Sequence, residues 1–191
     1  MATDFIKFVY NHPPRCVADL NPKPTAQYEP SIKLQSHLTV FHDLRHPQES
    51  DYFDTVSFVI GCPCGKRAVH LLGYYITTEG RRPDAFLVGP LSIECNECKS
   101  ISPFFDARLH GYDGEQGVNT HLIGQGAPEV FRCPQCGPQP LIISASFSYV
   151  VDNEFKGVGR ERPQDFFTGI VILAQCTRCN SLIEATWFEC D

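Results

Sequence analysis

Four closely spaced cysteine pairs, Cys62/Cys64, Cys95/Cys98, Cys133/Cys136 and Cys176/Cys179, constrain this 191-residue chain more than any other feature. Each pair stands where an apolar, strand-like run meets a tight turn, as in VSFVIGCPCG, GPLSIECNEC, PEVFRCPQCG and GIVILAQCTRC. Two cysteines one or two residues apart set both sulfurs on one side of a turn, whose backbone N–H groups offset the thiolate charge. Two such turns supply the four ligands that a tetrahedral, soft divalent ion requires. Gly65 and Gly137 follow two of the pairs and tolerate the positive φ such a turn demands, while Pro63 and Pro134 stiffen it. Four pairs therefore predict two Zn²⁺ sites, each with four thiolates and no open position, which is the make-up of a structural rather than a catalytic zinc.

The cysteines also reveal a repeat. Residues 81–106, RRPDAFLVGPLSIECNECKSISPFFD, resemble residues 161–189, ERPQDFFTGIVILAQCTRCNSLIEATWFE, and upstream CPCG answers CPQCG. Arg82-Pro83 matches Arg162-Pro163, Phe86 matches Phe166, and Gly89 matches Gly169. An internal duplication explains the shared order and spacing. The expected class is mainly β, with two tandem zinc-knuckle β-ribbon repeats, residues 55–106 and 129–191. A segment over 1–54 packs on them, and a Gly-rich linker over 107–128 joins them. Closure of a site within each repeat is the natural arrangement, although spacing alone leaves closure across repeats open.

Within each repeat a strand enters the first knuckle, a second leaves it, a third enters the second knuckle and a last one leaves. Leu141, Ile143, Ala145, Phe147, Tyr149 and Val151 alternate with small or polar neighbours, so one face of that strand packs and the other does not. The corresponding run RAVHLLGYYITT is apolar on both faces, which predicts fuller burial or a place between the repeats. Near the N-terminus Phe5, Phe8 and Val9 suit one face of a short helix ended by Pro13 and Pro14. Residues 11–30 read as extended loop, and SIKLQSHLTVF, residues 31–41, alternates as a strand. His42, Asp43 and His46 follow in a polar turn that solvation explains better than metal binding.

Ten cysteines in a chain whose start has neither a basic region nor a long apolar stretch point to the cytoplasm, where thiols stay reduced and bind metal. Cys16 and Cys190 fall outside the pairs and read as ordinary thiols. The formal charge of −6 argues against nucleic acid as the main partner.

At the knuckles each repeat resembles a zinc ribbon and, more loosely, the Mss4-like or β-tent group, in which two cysteine pairs at hairpin tips clamp one zinc. GCPCG at residues 61–65 is similar to the opening of glutathione-dependent formaldehyde-activating enzymes, but the next cysteine here is Cys95. The resemblance implies a scaffold more than an activity, because ribbons serve many roles.

No Ser/His/Asp arrangement, phosphate-cradling loop or HExxH helix is present in the sequence. The leading expectation is a non-enzymatic module that binds a protein partner, with Tyr74, Tyr75, Phe104, Phe105, Tyr112 and Asp113 among the candidate contacts. Nucleic-acid binding through Arg81, Arg82, Arg160, Arg162 and Arg178 is the alternative. An enzyme or small-molecule site between the repeats, using His70, His110, His121, Asp106 or Asp113, comes third.

Overall fold

Alternation and turn chemistry decide where the strands run. The computed structural model describes residues 2–24, 53–75, 87–106, 109–110, 124–150 and 162–189. Among them are helices α1 (Ala2–Asn11) and α2 (Arg15–Ala18). The strands are β1 (Lys23–Pro24), β2 (Phe53–Val59), β3 (Ala68–Tyr75), β4 (Leu87–Cys95), β5 (Ile101–Phe105), β6 (Glu129–Val130), β7 (Leu141–Val150), β8 (Gly169–Cys176) and β9 (Leu182–Glu189). The protein is mainly β, built on one curled antiparallel sheet.

Two three-stranded meanders, β3–β4–β5 and β7–β8–β9, form the halves of that sheet. Their registers keep the same offset from the cysteines. Val69 pairs with Cys95 and Leu141 with Cys176, and each of Val69 and Leu141 stands five residues past the second cysteine of its own turn. Glu94 faces Ile101 as Gln175 faces Leu182. The register shifts also fall at matching places, between Leu91 and Ser92 in one half and between Ile172 and Leu173 in the other.

The halves meet where β3 and β7 begin, through the antiparallel pairs Ala68 with Ile142 and Val69 with Leu141. Val69 and Leu141 are equivalent positions, so a local two-fold axis passes between them. Beyond this crossing each half supplies the first strand of the other. β2 pairs along β7, with Val59 opposite Ser144, while β6 pairs along β3, with Val130 opposite Leu72. Val59 and Val130 each precede their knuckle by three residues, and Ser144 and Leu72 each follow theirs by eight. The exchange is therefore symmetric in register.

Alternation on β7 sends Leu141, Ile143, Ala145, Phe147 and Tyr149 into the core, as their spacing predicts. On the opposite face Ser146 and Ser57 share a 2.8 Å hydroxyl–hydroxyl hydrogen bond across β7 and β2. β3 takes the place between the halves that its apolar run suggests, with β4 along one edge and β6 and β7 of the second half along the other. Outside β3, the backbone of Gly124 lies against the Tyr74 ring with no room for a Cβ.

Curling brings the far strands together, with the rings of Phe105 on β5 and Phe188 on β9 4.8 Å apart. Phe58, Phe131 and Phe147 are also buried in this core, and Phe147 packs edge-on against Phe58 and Phe167. Burial of this many aromatic rings supplies much of the hydrophobic driving force.

The N-terminal segment closes one side. α1 places Val9 in the core and packs Phe5 edge-on against Tyr149 and Tyr10 against Phe58. Residues 11–30 are not wholly extended, because Arg15–Ala18 form a helical turn. Pro14 stands at its N-cap with φ −51° and ψ 145°, and the capping acceptor comes from the far end of the chain. There the Arg15 amide donates to Asp165 Oδ1 at 2.7 Å. The same buried carboxylate accepts from the Arg15 guanidinium at 3.2 Å and from Arg162 Nε at 2.6 Å.

Asp165→Ala removes all three bonds. The expected cost is roughly 2 kcal/mol, set by one lost cap and screened charge pairs. Hydrogen exchange at the Arg15 amide should accelerate before global unfolding does. Unchanged protection there would show that the carboxylate does not hold α2.

Candidate metal centres

The residue after each pair reverses the chain. Gly65 and Gly137 have φ of 95° and 73°, and Lys99 and Asn180 hold φ of 60° and 59° at the matching positions. Each of these four donates its amide to the carbonyl of the first cysteine in its turn: Gly65 to Cys62, Lys99 to Cys95, Gly137 to Cys133 and Asn180 to Cys176, at 2.8–3.0 Å. The left-handed backbone disfavours residues with a Cβ, and only the two glycines meet it without strain. All four turns thus share one closure, even though the first has a one-residue gap.

Strand register then brings the turns together in pairs. The sulfurs of Cys62, Cys64, Cys95 and Cys98 all lie within 4.8 Å of one another, and so do those of Cys133, Cys136, Cys176 and Cys179. Within the first group Cys62 and Cys98 are 3.4 Å apart and Cys64 and Cys95 3.7 Å. In the second, Cys133 and Cys179 are 3.6 Å apart. Four sulfurs at zinc–thiolate bond length on a tetrahedron stand about 3.8 Å apart. The donor set and its spacing fit such an ion. Both groups close within one half of the sequence. Either group can hold a metal ion.

One ligand-supporting residue per group carries no cysteine signature. The hydroxyl of Ser100 lies 3.1 Å from Cys98 Sγ and that of Ser181 lies 3.3 Å from Cys179 Sγ. Hydrogen bonding from Ser100, side chain first and then backbone, lowers the Cys98 thiol from 9.0 to about 6. Ser181 does the same to Cys179. The sulfur of Cys136, hydrogen-bonded to Cys179, is pushed up to about 12. In the second group the neighbouring sulfurs are thus split, Cys179 lowered and Cys136 raised, and a divalent cation would replace the proton they share. The repeated C-x-S of CKS and CNS is the signal that identifies these serines.

Ser100→Ala and Ser181→Ala should each weaken metal affinity at their own site by about tenfold or more, the usual range for groups that orient a ligand. Competition with a chromophoric chelator measures this. Equal affinity in both variants would make the hydroxyls bystanders.

The other predicted residues are dispersed. Arg162 is tied to Asp165, so Arg162-Pro163 forms a structural corner, continued by a single 3-10 turn over Pro163–Asp165. Phe104 and Phe105 are core residues, not surface contacts. The Tyr75 hydroxyl accepts from the Arg132 amide at 2.9 Å, bracing β3 against the second half. His70 stands opposite Glu94 in the β3–β4 ladder.

His110 folds back so that its Nδ1 accepts from the Asp106 amide at 2.9 Å, and burial lowers its pKa. Burial pushes the Cys16 thiol up, with the Asp165 carboxylate adding to the effect, so Cys16 is an inert core residue rather than a nucleophile. The candidates Arg81, Arg82, Tyr112, Asp113, His121 and Arg160 lie outside the described residues, as do the strand over 31–41, His42, Asp43, His46 and Cys190.

Among the described residues no helix is long and apolar enough to cross a membrane. No family model matches the chain, and no curated protein or solved structure matches it.

Proposed function

We propose that both cysteine groups are structural zinc sites and that the scaffold they hold is a non-enzymatic module for binding a protein partner. The observation that carries the reading is the closure of both groups: each set of four sulfurs comes from this chain alone and lies within 4.8 Å. An ion held by four thiolates has no position for water or substrate, so its contribution is folding energy. Zinc is favoured because it accepts a tetrahedral thiolate set without redox chemistry.

Support for a protein partner comes from the surface. Leu109 and Phe166 are exposed, and each adjoins a residue of the region around Asp165: His110 after Leu109, and Asp165 itself before Phe166. Large exposed apolar side chains rimmed by polar residues suit a protein interface.

Two measurements test the proposal. Elemental analysis of the purified chain should return two zinc ions per molecule. Affinity capture with the wild-type chain should recover a stoichiometric partner that Leu109→Asp combined with Phe166→Asp loses, while both zinc ions remain. No stoichiometric partner with the wild type, or one retained by the double variant, would count against this surface.

A further inference from the structure

The two metal groups share a register but differ in accessibility. Cys64 and Cys98 of the first are exposed, whereas their counterparts Cys136 and Cys179 are only partly so. An exposed ligating sulfur meets an oxidant without an opening motion, so the group that exposes two of its four sulfurs is the one attacked first. The exposed Cys98 is also 3.4 Å from the buried Cys62, close enough for a second sulfur to resolve an oxidised one.

We propose that the first group, Cys62/Cys64/Cys95/Cys98, is an oxidant-releasable metal site and that the second is a permanent one. This rests on the reading that both hold zinc. The oxidant is hydrogen peroxide. The Cys98 thiolate attacks one peroxide oxygen, the O–O bond breaks and hydroxide leaves, giving a sulfenic acid. The Cys62 thiolate then attacks the Cys98 sulfur, the S–S bond forms, and the S–O bond breaks with loss of a second hydroxide. Two thiolates are oxidised by two electrons and one peroxide is reduced to two hydroxides. Cys64 and Cys95 remain, too few ligands to hold the ion.

Release at this group has a mechanical consequence for the N-terminal segment. The Gly61 amide, next to Cys62, donates to the Leu20 carbonyl at 2.9 Å, and β1 pairs with β2 just before the same turn. Arg67, just beyond the turn, donates to the carbonyls of Asn21 and Val59. The N-terminal segment is thus anchored on the first knuckle, and oxidation there loosens it.

The test is a hydrogen peroxide titration of the full-length, two-zinc protein. Native mass spectrometry follows the ions, and differential alkylation with peptide mapping follows the cysteines. The expected result is a one-ion species in which Cys62 and Cys98 are oxidised at least about tenfold faster than any cysteine of the second group. Simultaneous loss of both ions, or earlier oxidation of Cys133, Cys136, Cys176 or Cys179, overturns the ordering alone. A chain that carries fewer than two zinc ions before peroxide is added overturns the two-site reading and this inference with it.

Discussion

Stripping both ions from the protein should abolish its cooperative thermal transition and most of its β-sheet circular-dichroism signal. The turns place sulfurs 3.4–3.7 Å apart, where ionised thiolates repel unless a cation sits among them. With zinc bound as proposed, each four-thiolate site would contribute on the order of 10 kcal/mol to folding, as much as the whole net stability of a typical domain. Loss of both cannot be absorbed by the remaining core. Substituting a buried ligand, as in Cys176→Ser, should do at the second site what a strong chelator does at both. Retention of a native melt by the chain once both ions have been removed would refute a structural role for the metals.

The second large effect is expected at Phe147. This fully buried ring on β7 touches Phe58 on β2 and Phe167 just before β8, so it joins a strand from the first half to two elements of the second. Truncation to Ala deletes the ring and leaves a cavity between rigid strands, at a cost of about 3–5 kcal/mol. With the metals in place, the melting temperature should fall by on the order of 10 °C for a chain of this size. Phe147→Leu, which keeps most of the volume, should recover more than half of that loss. A shift under about 2 °C for the alanine variant would mean that the halves are joined mainly elsewhere.

The two cysteine groups able to hold a metal were legible because ligand geometry is a local demand: two sulfurs on one turn must be one or two residues apart, whatever the rest of the chain does. The inward face of β7 was legible for a similar reason, since period-2 alternation belongs to the strand itself. Long-range partners were not. Nothing in VSFVIG or PEVFR says that each strand pairs across the local two-fold axis instead of beside its own successor.

α2 was read as loop because its prolines are visible in the sequence, whereas the acceptor that satisfies its first amide, Asp165, lies 150 residues away. The two serines fall between these cases. Their spacing from Cys98 and Cys179 is local and repeated, but a hydroxyl beside a cysteine has many uses, and only the 3.1 and 3.3 Å contacts give it a role. Lys99 and Asn180 likewise occupy a backbone region that glycine marks openly in the other two turns.

The exchange of first strands means that neither half is self-sufficient. A fragment carrying only the second half would keep its four cysteines and its meander, yet the margin of β7 that receives β2 would stand bare. Its own β6 would have no β3 to join. The surface that fits such a fragment is a second copy of itself, Leu141 meeting Leu141 where Val69 now meets Leu141. In strand register the two halves stand to each other as the subunits of a symmetric dimer would, held at one to one by the covalent link.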